Sequence, residues 1–315
     1  MTTRCRNLLK LRIFGLLFLS ILILFFLRPY PRLHLTKTIQ FERQNEDFGD
    51  QLFSLFSQLG VAKTIGRVPV LNVFNNSEFV ERLSRLSTTF PMVLEQFSIV
   101  VEPNTQPNAE LCCSFDDPSE KLSDYTTLDM MVRGNGFKSF KYFDHLRPEI
   151  RQWMLGNAEN VEKARNLLAE EHQPKWNLCV HGSDETDTRF AILAMEKLLE
   201  VYSKKFKFIA LFMWGIEEEI GQSILYHDKL SGFPMDRNYV SDLSAESQLA
   251  FSRLFCDAVL LTDPFTAIGW WIGYLAKDGS PVFYADLRKP SDSSLEFPLG
   301  KDYFLPEWKR MFLVD

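Results

Sequence analysis

The regular alternation in the second half of the chain limits the fold more than any other feature. Trp176–His181 (WNLCVH), Phe206–Met213 (FKFIALFM), Asn238–Ser241, Ala258–Leu261 (AVLL) and Pro281–Ala285 (PVFYA) read as strands. Thr188–Ser203, Ile216–Tyr226, Ser244–Phe255 and Phe265–Lys277 read as the helices between them, the first with Ile192, Met195, Leu199 and Tyr202 on one face. Near-continuous apolar strands alternating with helices predict a parallel α/β sheet with both faces covered. Right-handed crossovers make it doubly wound and put any ligand site at the carboxyl ends of the strands. That rim collects His181–Asp187, Trp214-Gly215, Asp242 and Thr262–Thr266.

The first half is less regular. Gln51–Thr64 keeps helical spacing, Arg67–Val73 reads as a strand and Glu78–Leu86 as a second helix. Glu102–Tyr125 is rich in Pro, Asn, Asp and Ser and reads as loop. Two short helices near Arg147–Leu155 and Ala158–Glu171 end at Gln173-Pro174-Lys175. That proline marks the boundary between a 46–175 half and a 176–315 half.

Ahead of both lies an unbroken apolar run, Ile13–Leu27. As a helix it reaches roughly 22 Å, short of the ~30 Å hydrocarbon core, but a start at Leu8 closes the gap if Lys10 and Arg12 snorkel. A cleaved signal peptide is the alternative, yet Leu27 runs straight into Arg28-Pro29-Tyr30-Pro31-Arg32 with no small-x-small site. The reading is a 1–12 cytoplasmic tail, a 13–27 transmembrane signal anchor, a 28–45 stem and a lumenal body. Arg4, Arg6, Lys10 and Arg12 before the run, against Arg28, Arg32 and Lys37 after it, favour a cytoplasmic N-terminus.

With 41 acids against 35 bases, and four of those bases in the tail, the body is acidic. Sequence-independent nucleic-acid binding needs a basic footprint and is excluded as the leading role. An anionic ligand must instead be held by a few local donors. Asn75-Asn76-Ser77 is a glycosylation sequon that fits a lumenal face. Cys112, Cys113, Cys179 and Cys256 are lumenal under this topology. A bond between vicinal Cys112 and Cys113 is strained, so each is expected to pair with Cys179 or Cys256, the alternative being that the latter two are buried free thiols.

At the rim, Asp263-Pro264 looks like an N-cap followed by proline at the first helical position, a terminus able to receive a phosphate. The pair Trp270-Trp271 reads as core aromatics ahead of substrate stacking. No recognised metal-ligand spacing surrounds His181, and no nucleophile elbow, Walker loop or G-x-G-x-x-G occurs.

Three blocks of sequence resemble the family 11 glycosyltransferases, the α-1,2-fucosyltransferases, in their divergent nematode-type branch. Phe48-Gly49-Asp50-Gln51-Leu52-Phe53 and Leu59–Arg67 (LGVAKTIGR) are similar to its glycine-asparagine-glutamine opening. Cys112-Cys113 followed by Asp116-Asp117-Pro118 suits the branch, and Asp242-Leu243, Cys256-Asp257 and Thr262–Trp271 resemble its C-terminal signature. The resemblance implies a GT-B-like fold of two Rossmann-like halves and a Golgi type II membrane enzyme. It further implies a GDP-fucose donor in the C-terminal half, a galactoside acceptor glycan and no metal cofactor. The donor-binding residues so implied are His181, Ser183, Arg189, Asp242, Thr266 and Gly269, and the catalytic candidates are His181 and Asp184.

The chain departs from the family where phosphate is gripped. The family follows its strand with His-x-Arg-Arg-Gly-Asp, whereas here Leu178-Cys179-Val180-His181 leads into Gly182-Ser183-Asp184-Glu185. Both arginines are gone, and Arg189 is the nearby guanidinium available as a substitute. Asp50 stands in place of asparagine, and Thr266 and Ala267 in place of serine and threonine. Two functions therefore remain open: an α-1,2-fucosyltransferase, or a non-catalytic glycan-binding or regulatory relative.

Overall fold

Two parallel sheets organise the computed structural model, which describes residues 36–42, 47–103, 106–111, 115–134, 137–168, 175–241, 243–286 and 300–312. The first half begins with β1 (Thr38–Phe41), α1 (Phe48–Ile65), β2 (Val68–Asn72), α2 (Ser77–Thr89) and β3 (Ser98–Val100). It continues through β4 (Ala109–Glu110) and β5 (Asp129–Arg133) to α3 (Arg147–Trp153) and α4 (Ala158–Asn166). Its strands lie in the order β3-β2-β1-β5-β4, all parallel.

The second half runs β6 (Trp176–His181), α5 (Thr188–Tyr202), β7 (Ile209–Trp214), α6 (Glu218–Leu225) and β8 (Met235–Tyr239). Then come α7 (Ala245–Phe255), β9 (Ala258–Leu261), α8 (Ala267–Leu275), β10 (Val282–Ala285) and β11 (Lys309–Met311). This sheet has the order β11-β10-β9-β6-β7-β8, again all parallel, so the expected doubly wound half is present and a second parallel half precedes it.

Two elements differ from expectation in ways that matter. Thr38–Phe41, inside the range read as stem, forms β1, the middle strand of the first sheet, with Ile39 and Phe41 in the core. The last long helix starts at Ala267 and not at Phe265, because Asp263 makes a turn of its own. Its Oδ1 accepts the Phe265 N–H (3.3 Å), and its carbonyl accepts the Thr266 hydroxyl (3.1 Å). Such side-chain bonds compete with helix and move the start downstream.

The cysteine pairing is corrected. Cys179, inside β6, is bonded to Cys256, which sits between α7 and β9, with Cα atoms 5.7 Å apart and both side chains fully buried. Because β6 and β9 are hydrogen-bonded neighbours, the two sulfurs meet across one strand spacing. Neither is a free thiol, and neither is available to Cys112 or Cys113, which lie outside the described residues, as do the 1–12 tail and the 13–27 run. Among the described residues no helix is long and apolar enough to cross a membrane.

Thr38–Asp315 is a single compact unit; of the separate Met1–Lys37 unit only Thr36 and Lys37 are described. Helix α1 joins the halves. It is buried nearly all round, as expected of a helix enclosed by core rather than lying on a surface. Within it, Gln58 Nε2 donates to the carbonyls of Ile39 (3.1 Å) and Val70 (2.8 Å), so a buried amide is satisfied by two strands at once. Its amino end packs on α8, where Trp271 Nε1 donates to the Gly49 carbonyl (3.0 Å). A Cβ on Gly49 would lie 2.6 Å from the Ile268 nitrogen, so only glycine allows this approach. Helix α4 adds a second seam to α7, where Ser247 Oγ donates to Asn160 Oδ1 (2.7 Å).

Candidate functional site

The carboxyl ends of β6, β7 and β9 meet at His181, Trp214 and the turn from Thr262 to Thr266. His181 is 2% exposed, and its carbonyl accepts both the Thr262 N–H (2.9 Å) and the Thr262 hydroxyl (3.1 Å). The imidazole lies between Gly215 and Gly269. A Cβ at Gly269 would fall 2.7 Å from His181 Nδ1 and 2.5 Å from Thr266 Oγ1, so α8 can rest on the ring only with glycine there. Burial lowers the His181 pKa from 6.5 to about 4, so the ring is neutral near pH 7, and Nδ1 has no hydrogen-bond partner.

The turn after β6 is closed by its own side chains. The Ser183 N–H donates to Thr186 Oγ1 (2.9 Å), and Ser183 Oγ donates to Asp263 Oδ2 (2.5 Å), joining the ends of β6 and β9. Asp184 Oδ1 accepts the Glu217 N–H (3.2 Å) at the start of α6, and Asp187 caps α5 through the Phe190 N–H (3.0 Å). Acids at these positions complement the positive ends of the two helices. They also occupy amides that an anionic ligand would otherwise use.

Helix α8 is different: Thr266 is its N-cap residue, yet no side chain caps it. Its first turn packs against the amino end of α1, where the two halves meet. Arg189 is exposed in the first turn of α5. Asp242 lies outside the described residues. Asn75 is exposed in the turn before α2 with φ 51°, a conformation asparagine tolerates, and Asn76 caps that helix. Trp270 and Trp271 are fully buried, their indole N–H groups donating to the carbonyls of Tyr303 (2.8 Å) and Gly49 (3.0 Å), in agreement with their reading as core. Among the described residues no group of three His, Cys, Asp or Glu side chains is arranged to hold a metal ion.

One cluster was not singled out as a site from the sequence. Asp50 Oδ1 pairs with Lys138 Nζ (2.8 Å) in the seam between the halves. Tyr303 is 1% exposed, its hydroxyl has no hydrogen-bond partner, and Asp50, Asp263 and Asp47 all act on it electrostatically. Burial and these three carboxylates hold the phenol neutral well above its ordinary range. The one sequence signal for the cluster was the aspartate replacing asparagine at position 50.

This rim joins the carboxyl ends of parallel strands to a helix terminus, and comparison with known proteins gives the family. No family model matches the chain. The uncharacterized protein T25D10.1 of Caenorhabditis elegans is 38% identical over 99% of this chain and 98% of its own length. A galactoside 2-alpha-L-fucosyltransferase of the same organism is 29% identical over 87% of this chain and 77% of its own. Among solved structures, POFUT1 in complex with GDP aligns over 79% of this chain and 98% of its own at 11% identity (TM-score 0.48). NodZ α-1,6-fucosyltransferase, known from Bradyrhizobium and soaked with GDP-fucose, aligns over 80% of this chain and 96% of its own at 17% identity (TM-score 0.48). The chain belongs to the fucosyltransferase family that includes the galactoside 2-alpha-L-fucosyltransferases, on its divergent nematode-type branch.

Proposed function

We propose that this protein transfers fucose from GDP-fucose to a galactoside hydroxyl in α-1,2 linkage, with inversion and without a metal cofactor. It does so as a single-pass type II Golgi membrane protein, anchored by residues 13–27 with the body in the lumen. The observation that carries the reading is the α8 terminus, free of a side-chain cap and set against His181 where the halves meet. A donor diphosphate beside it meets the positive end of the helix dipole. Arg189, exposed in the first turn of α5, offers a guanidinium. In the reaction the acceptor oxygen bonds to fucose C1 while the C1–O bond to phosphate breaks. The electron pair leaves with GDP, and the hydroxyl proton passes to a base.

A second reading, a non-catalytic glycan-binding or regulatory protein, is favoured by the carboxylates of Asp184, Asp187 and Asp263. They hold rim amides and oppose a diphosphate. Incubating the purified protein with GDP-fucose and galactose-terminated glycans decides between the two. Mass spectrometry should find a glycan heavier by one deoxyhexose, lost again on α-1,2-fucosidase treatment. An unchanged glycan pool, with donor intact, contradicts transfer.

A further inference from the structure

The residue that removes the acceptor proton has to lie beside the donor rim, carry an open oxygen and have its charge held in place. His181 is sealed between two glycines, and Asp184 is engaged in holding the start of α6. Asp50 meets all three needs. It belongs to the first half, next to Gly49, whose backbone abuts the first turn of α8. Its side chain is 25% exposed, yet Oδ1 is buried against Lys138, which leaves Oδ2 to meet a hydroxyl. The segment carrying Lys138 is itself fixed: Ser139 Oγ donates to the Asp302 carbonyl (2.7 Å), and Lys141 pairs with Asp302 (2.5 Å). These contacts also set Tyr303, whose buried, unpartnered hydroxyl faces the same carboxylates.

We propose that Asp50 is the catalytic base of this transferase, accepting the acceptor's hydroxyl proton on Oδ2 while Lys138 holds the carboxylate. The assignment rests on the fucosyl-transfer reading above. Burial raises the Asp50 pKa against the opposing pull of Lys138, which strengthens it as a base near neutral pH. The charged groups facing it are Lys138 and Asp47.

The test combines donor calorimetry with transfer kinetics on the full-length protein and its Asp50→Asn and Asp50→Glu variants. Asp50→Asn keeps the shape of the side chain. It should bind GDP-fucose within threefold of wild type while kcat falls at least 100-fold and the acidic limb of the pH–rate profile disappears. Asp50→Glu should recover part of the rate. An Asp50→Asn protein that transfers within threefold of wild type overturns the assignment and leaves fucosyl transfer intact. A wild-type protein that does not bind the donor overturns both.

Discussion

Trp271 Nε1 donates to the carbonyl of Gly49 at 3.0 Å, a bond that crosses from the second half to the first at the buried seam between α8 and α1. The indole is fully buried, so the carbonyl has no water to replace it. Trp271→Phe keeps most of the ring but leaves that oxygen unpaired, at a cost of about 1–3 kcal/mol. Gly49→Ala drives a methyl into the Ala267 and Ile268 backbone and should cost a similar about 1–3 kcal/mol by overpacking. Denaturant unfolding measures both, and a Gly49→Ala protein as stable as wild type would contradict the close approach.

His181 gives the fold an acid-sensitive term. Its pKa is about 4 folded against 6.5 unfolded, so the unfolded chain binds the extra proton first. Stability is therefore full above pH 6.5 and declines as pH falls toward 4, by about 3 kcal/mol in all. His181→Gln should flatten that part of the pH–stability profile; an unchanged slope between pH 6.5 and 4 would count against a buried neutral imidazole.

The bond between Cys179 and Cys256 spans 77 residues of sequence. In the chain-entropy model such a loop is worth about 4 kcal/mol. Non-reducing peptide mapping should recover the 179–256 bridge, and the Cys179→Ala/Cys256→Ala protein should unfold at markedly lower denaturant. A mapped bridge from either residue to Cys112 or Cys113 would contradict the pairing.

Asp50 carries the opposite sign to a stabilising carboxylate. Its folded pKa lies above the ordinary value of 3.8, with burial the largest cause, so stability falls as pH rises from that value through the folded one. Asp50→Asn removes this penalty and should be more stable than wild type at neutral pH, with the gap closing in acid. Melting temperatures at pH 4 and pH 7 read the difference directly.

The second sheet was legible because its central strands are buried on both faces and read as apolar runs; β6 matches its expected bounds. Strands β1 and β11 were not, since Thr38–Phe41 is four residues with two polar members and Lys309–Met311 is a polar edge strand. Of the site, His181 and Thr266 follow from strand ends, and Gly269 from the family resemblance. The cluster of Asp50, Lys138 and Tyr303 does not, because three distant segments meet only through tertiary packing, and no local period marks a carboxylate that will face another half.

Calorimetric titration of the protein with GDP-fucose tests the central claim most directly. Without the arginine pair, each lost charge-assisted contact removes about 1.5–3 kcal/mol, or one to two decades of affinity. The account predicts binding that is saturable, weaker than in arginine-bearing relatives, and abolished in Arg189→Ala. Tight binding unaffected by Arg189→Ala would mean that another residue holds the diphosphate, and no heat at millimolar donor would contradict fucosyl transfer itself.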